Sequence, residues 1–131
     1  MKHGSVKLYE IPNKFNTKFT KGGVMVIQVL TTGDKRDALE AIAKNLLEEK
    51  LIACAQIVGP IKSMYWWKGE IAEDEEYLCI MKTKDELFHL VEEKIRKLHP
   101  YEVPEIVAVR ADFVSKNYES WLTNEVIGSI G

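Results

Sequence analysis

The strand-like segments of this chain are apolar on both of their faces, and this property constrains the fold more than any other. Residues 24–30 read Val-Met-Val-Ile-Gln-Val-Leu, with a single polar side chain at Gln28. Residues 78–81 and 106–109 are apolar at every position. A strand with one face in water alternates apolar and polar side chains. The sheet formed by these segments must therefore be covered on both faces.

Two segments between the strands have the 3.6-residue periodicity of amphipathic helices. In the first, apolar side chains recur from Ala38 to Leu46, and Asp34 is expected to cap its start. The second is expected to begin at Thr83-x-x-Glu86, which has the spacing of a capping box, and to end before Pro100.

A long β-hairpin is predicted between the two helices. Residues 51–67 and 70–83 form its strands, and Lys68-Gly69 forms the tight turn that joins them. Gly59-Pro60 interrupts the first of these strands and is expected to form a bulge or a bend.

A fourth strand over residues 105–109 and a short helix around Tyr118–Val126 complete the chain. The order β-α-β-β-α-β predicts an α+β fold, a ferredoxin-like sandwich with a long hairpin and an extra C-terminal helix. Right-handed crossovers place both connecting helices on the same face of the sheet. Because the C-terminal helix is too short to cover the other face alone, we expect copies of the chain to cover it in a homo-oligomer.

The charge of the chain is unevenly distributed and argues against nucleic acid as a partner. Residues 1–23 contain five lysines and one glutamate, whereas residues 24–131 contain 13 basic and 19 acidic side chains. An acidic body has no general attraction for a phosphate backbone. We interpret residues 1–23 as an N-terminal extension or an expression leader, and residues 24–131 as the functional domain.

The sequence contains no signal for a membrane or for secretion. No apolar run approaches the roughly 18 residues of a membrane-spanning helix. The N-terminus has no apolar stretch followed by a small-residue cleavage site. We therefore expect a cytoplasmic location and no membrane partner.

Polar side chains suited to binding a ligand are expected at one end of the sheet. In the expected topology the first and third strands run parallel in its centre, so one end collects the ends of these strands and the starts of the other two. We predict a ligand-binding rim at this end, formed by Cys54, Lys82, Thr83, His99, Tyr101 and Glu102.

His99 is the most informative member of this rim, because imidazole is the commonest transition-metal ligand. A histidine in the last turn of a helix also interacts favourably with the helix dipole and needs no other role. Cys54 and His99 have the chemistry of a nucleophile and its base, but no local motif supports catalysis and we expect no enzyme. Lys82 is either an anion contact or a solvated lysine at the end of a strand.

Three consecutive aromatic residues, Tyr65, Trp66 and Trp67, lie next to the hairpin turn. Adjacent side chains on a strand point to opposite faces, so a single chain would leave at least one of them exposed. Aromatic side chains in this position are more often anchors of an interface than a ligand cage. RNA-binding sheets carry aromatic residues in the middle of their strands in a basic context, which this chain lacks.

Five separated motifs resemble the CutA family of divalent-cation tolerance proteins, across residues 24 to about 127. They occur in the same order as in the family and at compatible spacings. The motifs are Glu49–Cys54, Tyr65–Ile71, Lys82-Thr83, His99–Glu105 and Tyr118-x-x-Trp121-Leu122.

The resemblance implies a homotrimer similar in fold and assembly to the PII signalling proteins. In such a trimer the long hairpin reaches across to neighbouring subunits. The aromatic residues expected in the trimer interface are Tyr65, Trp66, Trp67 and Trp121.

The resemblance also implies a non-catalytic role in tolerance of copper or another divalent cation, with a metal ion at the rim between subunits. Some members hold copper with a cysteine at the end of the first strand and a doubled histidine before the proline. The corresponding residues here are Thr31 and Leu98-His99. We therefore expect His99 as the metal ligand, together with Cys54, unless Glu102 or a second subunit supplies the further ligand. The alternative is a PII-like module in which Lys82 favours a small anionic ligand at the same rim.

Overall fold

Four strands form one antiparallel sheet in the computed structural model, which describes residues 24–128. The predicted extension, residues 1–23, lies outside the described residues. The strand order is β2-β3-β1-β4. The strands are β1 (Val26–Gly33), β2 (Cys54–Trp67), β3 (Glu70–Lys84) and β4 (Val107–Arg110), and the helices are α1 (Arg36–Glu48), α2 (Phe88–Leu98) and α3 (Lys116–Glu125). The predicted element order and α+β fold are confirmed.

β1 lies inside the sheet and is antiparallel to both of its neighbours. Val29 pairs with Met81 of β3 on one side and with Ala108 of β4 on the other. The expectation that the first and third strands run parallel is therefore wrong. The crossover through α1 makes β1 and β2 parallel, and β3 returns between them from the hairpin, so it must run in the opposite direction.

Both predicted helix caps are wrong. The residue before α1 is Lys35, whose side chain makes no capping hydrogen bond, so Asp34 does not occupy the cap position. Thr83 remains in β3, where its hydroxyl donates to the carbonyl oxygen of Leu51 at 2.7 Å. A 3-10 turn over Asp85–Leu87 then precedes α2. Because the Thr83 hydroxyl is already bonded across the sheet, it is not available to cap a helix.

The core lies between the sheet and the helices α1 and α2. The apolar sides predicted for these helices supply most of its helical side chains, although Leu98, the last residue of α2, is 43% exposed. The sheet contributes side chains from the same face of β1 and β3. The buried residues include Leu39, Ile42, Leu46, Val91 and Ile95 from the helices and Ile27, Val29, Cys79 and Met81 from the strands.

The opposite face of the sheet is covered only in part by the described chain. Leu30 lies directly across from Val107 on β4 and from Ile80 on β3, so these side chains share that face. Val107 and Val109 are 47% and 48% exposed. α3 packs against β3. The face is therefore apolar and accessible in a single chain, as the sequence predicts.

The hairpin register confirms the bulge predicted at Gly59-Pro60. Trp67 pairs with Glu70 across the two-residue turn, and the register shifts between Val58 and Ile61. The side chain of Tyr77 packs against the Cα of Gly59, so that a Cβ built there would lie 3.0 Å from Tyr77 Cγ and closer still to Cδ2. Gly59 therefore allows the bulge to approach the tyrosine ring closely.

We predict that Gly59→Ala destabilises the fold by about 1–3 kcal/mol, because the added methyl group overlaps the ring of Tyr77. Urea unfolding at fixed protein concentration measures the effect. Gly128→Ala is the matched control, since a Cβ at Gly128 meets no atom within 4 Å. Equal stability of the two variants would contradict the close approach.

Candidate functional site

The six residues of the predicted rim lie in two groups at opposite ends of β1. Thr32 pairs with Leu78 near one end, while Lys82 pairs with Gln28 towards the other. Lys82 lies four positions after Leu78 on β3, a distance of about 13 Å. The convergence expected from parallel central strands is therefore wrong, because the antiparallel order of β1 and β3 separates the ends that it would have joined. His99, Tyr101 and Glu102 form one group and Cys54, Lys82 and Thr83 the other.

His99 joins the end of α2 to the end of β1. The residue is 7% exposed, and its Nε2 lies 2.7 Å from the carbonyl oxygen of Thr32. Its Nδ1 accepts a hydrogen bond of 3.0 Å from the backbone N–H of Tyr101. Because Nδ1 accepts, the proton of a neutral ring resides on Nε2 and is donated to Thr32. Both ring nitrogens of His99 are thus bonded to backbone atoms.

Tyr101 extends this connection to the hairpin. Its hydroxyl donates to Glu76 Oε2 at 2.7 Å, and its ring lies 4.7 Å from the ring of His99 between centroids. Burial of the phenol, followed by the hydrogen bond to the Glu76 carboxylate, raises the pKa of Tyr101 well above its usual range. Glu76 itself is 6% exposed. The side chains of His99, Tyr101 and Glu76 therefore connect the end of α2, the loop after it and the strand β3.

A cavity of about 780 Å³ lies beside this connection, between the hairpin and the loop that precedes β4. We call it the acidic cavity, because five of its lining residues are carboxylates and none is basic. Its lining consists of Thr32, Asp34, Ser63, Met64, Tyr65, Trp67, Asp74, Glu76, Tyr101, Glu102, Val103 and Glu105. The hydroxyl of Tyr65 donates to the Asp74 carboxylate, which raises the pKa of Tyr65.

Sequence reasoning found Tyr101 and Glu102 but missed most of this lining. The pairing of the hairpin strands would have indicated part of the lining. Ser63 pairs with Asp74 and Ile61 with Glu76, so these side chains lie on one face of the hairpin together with Tyr65 and Trp67. The approach of residues 101–105 to this face depends on tertiary packing and has no local signal in the sequence.

The second group is built around Cys54. Its Sγ lies 3.4 Å from the hydroxyl of Tyr118, which belongs to α3. Burial, followed by this hydrogen bond, raises the pKa of Tyr118 to about 12. Lys82, directly across from Cys54, donates to Gln56 Oε1 at 3.0 Å. Because His99 is at the other end of the sheet, Cys54 and His99 of one chain do not form a nucleophile and base pair.

The described residues of a single chain do not form a metal chelate. Within residues 24–128, no group of three or more histidine, cysteine, aspartate or glutamate side chains is arranged to hold a metal ion. Thr31, at the position of the family cysteine, is fully buried, and no described residue forms a hydrogen bond with its hydroxyl. The other cysteine, Cys79, is buried, and burial raises the pKa of its thiol to about 11.

The aromatic residues predicted for an interface are accessible in the single chain. Trp66 is 73% exposed and Trp67 is 57% exposed, and they lie on opposite faces of the hairpin. Tyr65 and Trp121 are each exposed by about two fifths. Their part in an interface stays a prediction. In the described part of the chain, no helix has the length and apolar character needed to cross a membrane.

Comparison with known proteins identifies relatives over most of the chain. Residues 27–125 match the family model of the CutA1 divalent ion tolerance protein. The divalent-cation tolerance protein CutA of Pyrococcus horikoshii is 41% identical over 100 residues, which cover 76% of this chain and 97% of that protein. CutA of Thermotoga maritima is 42% identical over 103 residues, which cover 79% of this chain and 100% of that protein.

Solved structures of relatives have the same fold. The crystal structure of CutA1 from Oryza sativa superimposes with a TM-score of 0.78 at 36% identity, covering 81% of this chain and 97% of that chain. The divalent cation tolerance protein from Thermus thermophilus gives a TM-score of 0.76 at 40% identity, covering 78% of this chain and 99% of that chain. Relatives include proteins described as chloroplastic, from Oryza sativa, and periplasmic, from Archaeoglobus fulgidus. A cytoplasmic location therefore stays a prediction for this chain.

We predict that the stability of the fold declines between about pH 10 and pH 12 through titration of Tyr118. A phenol in the unfolded chain titrates near pH 10, whereas the folded protein retains the proton of Tyr118 up to about pH 12. The stabilising contribution is therefore complete below pH 10 and is lost as the pH rises. Urea midpoints measured across this interval should fall less for Tyr118→Phe than for the unchanged protein.

Tyr77→Phe is the control for this experiment, because the described residues provide no hydrogen-bond partner for the Tyr77 hydroxyl. It should follow the unchanged protein. An identical alkaline decline in all three proteins would show that Tyr118 contributes nothing to it.

Proposed function

This chain belongs to the CutA1 family of divalent ion tolerance proteins, and on that premise we propose that it acts in the response to copper or another divalent cation. In this proposal it is a cytoplasmic homotrimer without catalytic activity. Cations collect at the acidic cavity, and a metal ion is held by His99 at a site shared between subunits.

The lining of the acidic cavity is the observation that carries this proposal. Asp34, Asp74, Glu76, Glu102 and Glu105 face one space without a lysine or an arginine among the lining residues. Clefts lined by charges of one sign concentrate ions of the opposite sign. The cavity therefore favours cations. It also weighs against the alternative of a small anionic ligand, because Lys82 lies at the other end of the sheet and its ammonium group is bonded to Gln56.

His99 and Cys54 remain the proposed metal ligands, under conditions that the geometry defines. A metal ion at His99 would replace either Thr32 at Nε2 or the Tyr101 N–H at Nδ1, at a cost of about 1 kcal/mol for the lost hydrogen bond. Since Cys54 lies at the other end of β1, it can join His99 only from a neighbouring copy. A shared site between subunits meets both conditions.

The absence of catalysis in the proposal is supported by the surroundings of Cys54. A nucleophilic thiol needs an adjacent base or a cationic neighbour that stabilises the thiolate. Cys54 is hydrogen-bonded to the phenol of Tyr118, whose pKa is raised. Lys82, which pairs with Cys54 across the hairpin, donates its hydrogen bond to Gln56.

The homotrimer is supported by the uncovered face of the sheet. Val107 is about half exposed on an apolar face, so a charged side chain there would oppose burial against another copy. We expect the unchanged protein to have three times the mass of the 15.0 kDa chain by light scattering. Val107→Lys should lower the mass, whereas Leu47→Lys on the exposed side of α1 should not. A monomeric unchanged protein, or two variants of equal mass, would contradict the proposal.

Metal binding is tested by anaerobic calorimetric titration with Cu(I), Cu(II) and Zn(II). We expect a saturable site that is lost in His99→Ala and retained in the control His89→Ala, because His89 is exposed on α2. His99→Gln offers an amide in place of the two ring nitrogens and guards against misinterpretation of a folding defect. If no metal binds above the nonspecific level, or if His99→Ala binds as well as the control, direct binding at His99 is ruled out.

A further inference from the structure

We draw no further inference here: the strongest candidate, the acidic cavity between the hairpin and the loop before β4, is lined in part by Tyr65 and Trp67, which are expected to lie against other copies of the chain, and its buried carboxylate at Glu76 already accepts a hydrogen bond from Tyr101, so that nothing among the described residues points to a further ligand.

Discussion

The antiparallel pairing of β1 with both of its neighbours is the constraint on which the rest of this structure depends. The strand is hydrogen-bonded on each side, to β3 and to β4, and its inward side chains Val29 and Thr31 are completely buried. Because both neighbours run against it, each end of β1 meets a different set of chain segments. One end receives the loop after α2, and the other receives the start of β2 and the C-terminal helix. The chemistry of the molecule is divided in the same way.

The connection from His99 through Tyr101 to Glu76 gives one of these ends its shape. One hydrogen bond holds this segment against β1, a second holds it against β3, and a third joins Tyr101 to His99 within it. The loop after α2 then forms one wall of the acidic cavity. The residue that sequence reasoning assigned to metal binding is therefore first a structural residue. Its carboxylate neighbours, which the sequence reasoning mostly passed over, determine the electrostatic character of the site.

Much of the fold could be predicted because its signals are local. Element order, the two-residue turn at Lys68-Gly69 and the bulge at Gly59-Pro60 follow from periodicity and turn chemistry. The crossover rule, applied together with the hairpin, makes β3 antiparallel to β1, whereas the sequence analysis expects the two strands to be parallel. The expected proximity of Cys54 and His99 depends on that one wrong direction. The predictions of the helix caps are wrong because tertiary hydrogen bonds compete with local ones. The hydroxyl of Thr83, for example, donates to the carbonyl oxygen of Leu51. The cavity depends on contacts between segments far apart in the chain, which no local pattern encodes.

The bulge at Gly59-Pro60 joins two parts of the hairpin whose strand pairings differ by one residue. At the far end of the hairpin, the tight turn fixes the pairing of Trp67 with Glu70. At the near end, the core requires Ile57 opposite Cys79, so that Ile57 faces inwards. These two pairings differ by one residue, and a regular ladder cannot satisfy both, since a slip of one residue exchanges the faces of a strand. Removal of one bulge residue would therefore force a choice between an intact turn and an intact core.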